Sequence, residues 1–395
     1  MTGSNPISPR NSISPRNSPG LLNSRFLAVV ACTLLLGGCA AGRALWGPAP
    51  LPAQAEHVFA RTQDGWDISL IHYRPHSPVP NRRPLILLHG IVTNERSLDL
   101  DARHSFARSM AEHGFDTWAV SLRGTGESTH ASLFGTPYRY DWDFDTYCTQ
   151  DVPAAIAEVQ RRTGSVQVDV VGHSLGGMLL YCVLARGGEA AHAIGAGATI
   201  GSLAGFRFGP RFTSLASTVT SALSHLPGFI ALKGEAIFFL PALSAYPEPG
   251  ALFLYNPVNM DPVLWSRFIA VGVEDESTAL LRQAALWIKE DRLLSRDGKI
   301  DYIQGLAAVR TPILVVAGKL DQLGFPPLVK RGYDALAGEK KWLLIGEENG
   351  ASADYGHLDL LLGDKAAEDV FAPVAAWLAA HEANQDPGAG VTSDH

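Results

Sequence analysis

The sequence predicts an α/β fold, with a mostly parallel central sheet and helices on both of its faces. From about residue 57 onward, short apolar runs alternate with helical stretches, and the runs are almost uniformly apolar, as in strands covered on both faces. Of the 395 residues, 46% are hydrophobic and 18% are charged, which allows a sizeable core. We predict strands at 66–73, 84–88, 115–122, 166–171, 193–200, 312–317 and 341–345, and helices at 97–113, 144–162, 175–186, 326–337 and 365–381.

One long segment interrupts this alternation. Residues 203–305 lie between two predicted strands and are rich in Phe, Leu and Pro. A structureless loop of this length is improbable in a compact domain, so we predict a large helical cap over the end of the sheet where the loops converge. The α/β core then comprises 57–202 and 306–381.

The first 38 residues predict a disordered segment followed by a secretory signal peptide. Residues 1–25 are rich in Ser, Pro, Asn and Arg, and cannot bury enough apolar surface to fold. The apolar run at 26–36 follows Arg25 and precedes small residues, as in a signal peptide, and is too short to span a bilayer comfortably. We also predict a disordered tail at 382–395.

The phrase LGGC at 36–39 resembles the lipobox of bacterial lipoproteins. In that family the cysteine carries two acyl chains and becomes the first residue of the mature protein, which gives stable anchoring. The resemblance implies an exported protein with a membrane anchor at Cys39, and Ala40 favours the bacterial outer membrane. The alternatives are an ordinary signal peptide and an uncleaved anchor. Residues 39–56 are then the lipidated cysteine and a Pro- and Ala-rich tether.

Cysteine usage and charge exclude several classes of function. The four cysteines are too few for a disulfide scaffold and lack zinc-ligand spacing, so no metal is predicted. We interpret Cys148 and Cys182 as buried thiols; a disulfide between them is the alternative, which requires export. The net charge of −7 comes without a clustered basic face, which argues against a nucleic-acid partner. Nothing in the sequence specifies the oligomeric state.

The pattern G-x-S-x-G, after a predicted strand and before a predicted helix, indicates a catalytic serine. Gly172 and Gly176 flank Ser174 and allow the sharp strand-to-helix turn that such a serine needs. We interpret His173, within this elbow, as a packing residue that points away from the attacking oxygen. The alternative is a tight glycine turn with an incidental serine.

A serine nucleophile needs a base, and the base needs an orienting acid. Along the chain, the expected order is Ser, then Asp or Glu, then His. Asp321 follows the predicted strand at 312–317, and His357 is the histidine between the last strand and the last helix. We predict these two residues as acid and base. Four other nearby carboxylates are interpreted as solvated loop or helix-start residues: Glu347, Glu348, Asp354 and Asp359.

Attack of a serine on a carbonyl group also needs two hydrogen-bond donors for the oxyanion of the tetrahedral intermediate. One is expected to be the backbone N–H of Leu175, immediately after the nucleophile. The other is expected from the turn after the strand at 84–88, where Gly90 permits a tight bend and Ile91 can donate its N–H. A simple strand-to-loop glycine is the alternative for Gly90.

Taken together, these motifs resemble the α/β-hydrolase superfamily over about 57–381. The phrases RRPLILLHGI, FDTYCTQDVPAAIAEVQRRTG before VDVVGHSLGG, and YGHLDLLLG are similar to the acid or gastric lipases, as is the large insertion. Leu175 stands where those lipases usually carry Gln, and Ser121 replaces an Asp that is frequent in the superfamily. The resemblance implies an α/β-hydrolase fold.

The sequence therefore predicts a serine carboxylic-ester hydrolase, lipase- or esterase-like, that works through an acyl-enzyme. The apolar composition of the predicted cap favours an apolar acyl substrate, which is either a small molecule or a lipid ester. No cofactor is implied. The alternatives are an acyltransferase with the same three residues and a membrane-tethered lipid-binding protein with an inactive site.

Overall fold

The computed structural model describes residues 50–132, 137–207, 229–230 and 251–382. Its centre is an eight-stranded sheet, ordered β1-β2-β4-β3-β5-β6-β9-β10. The pairs β1–β2 and β2–β4 are antiparallel, and all other neighbours are parallel. A separate antiparallel pair joins β7 to β8. The strands are β1 Glu56–Arg61, β2 Asp67–Tyr73, β3 Leu85–Leu88, β4 Thr117–Ser121, β5 Val168–His173, β6 Ile194–Ile200, β7 Phe229–Ile230, β8 Glu276–Ser277, β9 Ile313–Gly318 and β10 Lys340–Ile345.

Helices cover both faces of this sheet, as predicted. In β3, Leu85 and Leu87 join one core cluster, whereas Ile86 and Leu88 join the other on the opposite face. The helices are α1 Phe106–Glu112, α2 Phe144–Thr146, α3 Val152–Thr163, α4 Leu175–Arg186, α5 Gly188–His192, α6 Ala251–Leu254, α7 Pro262–Gly272, α8 Thr278–Glu290, α9 Tyr302–Gly305, α10 Pro326–Ala335, α11 Asp359–Leu362 and α12 Ala372–Ala380.

Two predicted elements differ from the structure. The first strand, β1, begins at Glu56, within the segment predicted as tether and outside the predicted strands. It is an edge strand in which only Val58 and Ala60 are buried, so its apolar signal is weak. The helix predicted at 97–113 is instead a 3₁₀ turn at Glu95–Ser97 followed, after a loop, by α1.

The interpretation of Cys148 and Cys182 as two thiols is wrong, because the two residues form a disulfide. Cys148 lies in a π-helical turn at Tyr147–Asp151, which joins α2 to α3. Cys182 lies on α4, and both residues are buried in the same core cluster. The bridge therefore ties the helix that begins just after Ser174 to the neighbouring helical run.

The described part of the segment predicted as a cap contains four helices, α6 to α9. Residues 208–228 and 231–250 of that segment lie outside the described residues, as do 1–49 and 383–395. In the part of the chain that the structure describes, no helix is both long enough and apolar enough to cross a membrane.

Candidate active site

Ser174 lies at a sharp turn between β5 and α4. Its backbone has φ 53° and ψ −117°, a strained conformation for a residue with a side chain. Two glycines make room for the turn. A Cβ atom on Gly172 would lie 2.1 Å from the carbonyl carbon of Gly176, and one on Gly176 would lie 2.3 Å from the Leu88 carbonyl oxygen. Side chains at either position would clash with backbone, so the turn requires both glycines.

His357 and Asp321 are hydrogen-bonded. The imidazole Nδ1 lies 2.7 Å from Asp321 Oδ2, and both side chains are buried. The other carboxylate oxygen of Asp321 accepts the backbone N–H groups of Leu323 and Gly324, at 2.9 and 2.6 Å. These bonds fix the carboxylate, and a proton on Nδ1 leaves the lone pair on Nε2.

Ser174 and His357 line the same apolar cavity, which has a volume of about 260 Å³. Ile91 and Leu175, the two predicted oxyanion donors, line it as well. The remaining walls carry mostly aliphatic and aromatic side chains and come from four parts of the chain: Met178, Gly201, Leu203, Phe206, Ala284, Trp287, Ile288, Leu323 and Gly324. A larger cavity of about 530 Å³ lies beside α3 and α5, and none of the predicted catalytic residues lines it.

The backbone segments that carry the two predicted oxyanion donors both lie next to Ser174. Leu175 is the first residue of α4, so its N–H has no partner within the helix. Gly90 packs directly against the nucleophile, because a Cβ atom on Gly90 would lie 3.3 Å from Ser174 Cβ. Ile91, the next residue, lines the cavity. Both N–H groups are therefore carried by backbone adjacent to Ser174.

Two buried histidines hold the loops around the site. His173 Nε2 lies 3.1 Å from the backbone oxygen of His357, and burial, together with the nearby His357, holds its pKa well below the usual value. Burial lowers the pKa of His89 to about 4, so this ring is neutral near pH 7. Its Nδ1 donates to the Gly90 oxygen at 2.8 Å, and its Nε2 accepts the Leu122 N–H at 3.1 Å.

One carboxylate differs from its sequence interpretation. Asp359 was interpreted as a solvated loop or helix-start carboxylate; it is the first residue of α11, but it is buried, and burial raises its pKa to about 6. It accepts the N–H of Gly356 at 2.9 Å and the amide of Asn259 at 2.8 Å. Asp359 thus fixes the loop that carries His357, a role that sequence spacing alone did not indicate.

A second group of buried acids was missed altogether. Glu95 accepts a hydrogen bond from the Ser121 hydroxyl, so a carboxylate does stand beside the position where the superfamily often has Asp. Burial raises the pKa of Glu95. Glu274 and Glu276 are also buried. The signal available in the sequence was only the acidic run VEDES at 273–277.

Cys39, the predicted lipidation site, lies outside the described residues. Within the ranges that the structure does describe, no three His, Cys, Asp or Glu side chains are grouped as a metal site would need.

Comparison with known proteins places this chain in a family. The family model for the alpha/beta hydrolase fold matches residues 83–364, well over half of the chain. Lysosomal acid lipase/cholesteryl ester hydrolase of Homo sapiens is 29% identical over 129 residues, 31% of this chain and 32% of that protein. Poly(3-hydroxyalkanoate) polymerase subunit PhaC of Haloferax mediterranei is 20% identical over 327 residues, 79% of this chain and 62% of that protein.

The chain thus aligns with less than two thirds of the length of either relative. A thermophilic esterase from Thermogutta terrifontis has a similar structure, with a TM-score of 0.52, 15% identity, and coverage of 83% of this chain and 100% of that chain. This likeness concerns the fold. The matched family model, together with the eight-stranded sheet, leads to one conclusion: the chain belongs to the alpha/beta hydrolase fold family.

Proposed function

We propose that this protein is a serine carboxylic-ester hydrolase that acts on esters with an apolar acyl group. One observation carries the proposal. Ser174, in a strained turn, faces the same apolar cavity as His357, and His357 is hydrogen-bonded to the buried Asp321. A nucleophile, a base and an orienting acid are the groups that such a reaction needs.

In the proposed reaction, Ser174 Oγ attacks the ester carbonyl carbon while His357 Nε2 accepts the serine proton. Asp321 holds the imidazole and stabilises its protonated form. The N–H groups of Ile91 and Leu175 stabilise the negative charge that develops on the carbonyl oxygen. His357 then passes its proton to the departing alcohol, leaving an acyl-enzyme, and a water molecule activated by His357 releases the acid.

The cavity walls support an apolar acyl group. Trp287, Ile288 and Leu203 present hydrocarbon surface to the space beside Ser174. The Trp287 ring is fixed, because its indole N–H donates to the Leu294 oxygen at 2.7 Å. Burial of an acyl chain against such walls contributes roughly 0.8 kcal/mol for each methylene group.

An acyltransferase is the second candidate. The observation in its favour is the similarity to a polymerase subunit over 79% of this chain. An acyltransferase would form the same acyl-enzyme on Ser174 and then pass the acyl group to an alcohol instead of water. The third candidate, an inactive lipid-binding protein, would share the cavity but would not form the acyl-enzyme.

The proposed place of action is the outer membrane of a bacterial cell, with Cys39 as the lipid anchor. The support comes from the signal-like run and the LGGC phrase in the sequence. The disulfide between Cys148 and Cys182 agrees with export, because such bonds persist in oxidising compartments.

The test is hydrolysis of p-nitrophenyl esters, from acetate to palmitate, by the wild type and by Ser174→Ala. We expect the variant to lose kcat by on the order of 10⁶-fold. Ser165→Ala, at the opposite end of β5, is the matched control and should keep full activity. A fluorophosphonate should label the wild type only at Ser174. Transfer to added alcohol in preference to water would favour the acyltransferase, and an unlabelled, inert wild type would refute the proposal.

A further inference from the structure

The loop that carries Ile91 holds a strained residue that the proposed mechanism does not explain. Val92 has φ 53°, although a β-branched side chain disfavours the left-handed region. Such strain persists only where the surroundings fix the backbone, and it is characteristic of functional sites. A backbone hydrogen bond from the insertion, donated by Glu274, holds the Val92 carbonyl.

Residues 271–274 of the insertion hold this loop along its whole length. The Glu274 N–H donates to the Val92 oxygen at 2.8 Å, and Thr93 forms an antiparallel bridge with Val273. The Asn94 N–H donates to the Gly272 oxygen at 3.2 Å. The backbone after Ile91 is therefore paired with the insertion as a short strand would be.

The carboxylate of Glu274 fastens this contact to the core. Its Oε1 atom accepts the Asn94 amide at 2.6 Å and the Gly126 N–H at 3.2 Å, and Glu274 is only 2% exposed. One oxygen atom thus joins the segment after Ile91 to the turn that follows β4. Two hydrogen bonds that converge on one buried carboxylate oxygen restrain both segments at this junction.

The same part of the insertion reaches the loop of His357. The Leu358 N–H donates to the Leu254 oxygen at 2.8 Å. Asn259 donates one amide group to Asp359 Oδ2 and to the Asp354 oxygen, both at 2.8 Å. Asp359 lies two residues after His357, so this pair of contacts fixes the backbone on both sides of the proposed base.

The two contact regions are the two ends of one packed unit. Between them runs α7, whose Leu264, Trp265, Phe268 and Ile269 side chains are buried in a core cluster. We call residues 254–274 the brace.

We propose that the brace sets the distance between the Ile91 N–H and His357, with Glu274 and Asn259 as positioning residues. Neither side chain is assigned a contact with the substrate; each acts through the loop that it holds. This inference rests on the proposed hydrolase function.

Glu274→Ala tests the first position. We expect kcat per labelled site to fall about tenfold or more with KM within about twofold, since a displaced oxyanion donor acts only in the transition state. Binding of a trifluoromethyl ketone, which forms a tetrahedral adduct, should weaken by the same factor. Glu274→Gln should restore activity to within about threefold, because its amide oxygen can accept both bonds. Glu290→Ala, an exposed acid on α8, is the matched control.

Asn259→Ala tests the contact with the His357 loop. We again expect kcat per labelled site to fall while KM stays within about twofold. Hydrogen exchange gives a readout without catalysis: backbone amides around Val92 should exchange faster in Glu274→Ala, with those of β9 unchanged. If the variants keep both their kcat per labelled site and their exchange rates, the proposal that the brace positions the two loops is wrong. An inert wild type would instead refute the proposed hydrolase function. The exchange rates would still show whether Glu274 holds the backbone around Val92.

Discussion

Replacement of Ala284 by Leu tests whether the cavity beside Ser174 holds the acyl chain. Ala284, Trp287 and Ile288 lie on one face of α8 and line the cavity together. Trp287 is held by its bond to Leu294, so it cannot move away to make room. The larger side chain would occupy space now open to the substrate.

The expected size of the effect follows from the added volume. Leu adds three carbon atoms, which would displace about three methylene groups of a chain that fills the cavity of about 260 Å³. At roughly 0.8 kcal/mol for each methylene, the loss is about 2.4 kcal/mol, or roughly 50-fold in kcat/KM. An acetyl ester, whose acyl group has no chain to be displaced, should be cleaved as well as before. The chain-length optimum should shorten by about three carbons.

The assay is the same p-nitrophenyl ester series, with kcat/KM measured for each chain length. Ala285→Leu is the control, because the same atoms are added one residue further along α8, at a half-buried position that does not line the cavity. Equal loss for acetate and long esters, or an equal profile change in the control, would refute the assignment of this cavity to the acyl group.

Two other predictions concern stability and location. Burial raises the pKa of Glu276 to about 7. Between roughly pH 4.5 and 7, the folded chain therefore keeps a proton on this carboxyl group that the unfolded chain releases. The stability that this proton contributes is lost as the pH rises through 7. Glu276→Gln removes this titration. In denaturant unfolding, the free energy of unfolding of the variant minus that of the wild type should rise by about 2–3 kcal/mol from pH 5 to pH 8. A difference that stays constant with pH would contradict the raised pKa of Glu276. In bacteria, Cys39→Ala should move the protein from the membrane to the soluble exported fraction, as immunoblots of cell fractions would show; retention in the membrane would exclude a lipid anchor at this residue.

The fold was largely predictable because its strands are buried on both faces. Seven of the eight sheet strands lie at the predicted positions, and β3 shows why: Leu85 and Leu87 enter one core cluster, and Ile86 and Leu88 enter the other. The edge strand β1 escaped prediction, since only one of its faces packs. The disulfide was named only as the alternative to two buried thiols, because the separation of 34 residues does not reveal which helices become neighbours.

The candidate site was predictable where chain order and local turns carry the information. The residues around Ser174 form one local motif, and the order of Asp321 and His357 follows from the alternation of strands and helices. The support around them was not predictable. Glu274 approaches Asn94 from 180 positions away, and Asp359 meets Asn259 across 100, so no spacing rule connects them.

Because α7 is attached to the core at both of its ends, some parts of the insertion tolerate substitution better than others. Helix α8 contributes wall atoms to the cavity, so altering it would change which substrate fits. Exchanging 254–274 would instead release the backbone at Val92 and at Leu358 together. A designer who grafts a new specificity onto this chain should therefore keep that segment native and vary the face of α8. Substrate choice would then depend on α8 and the chemical step on the brace, although α7 and α8 are neighbours in sequence.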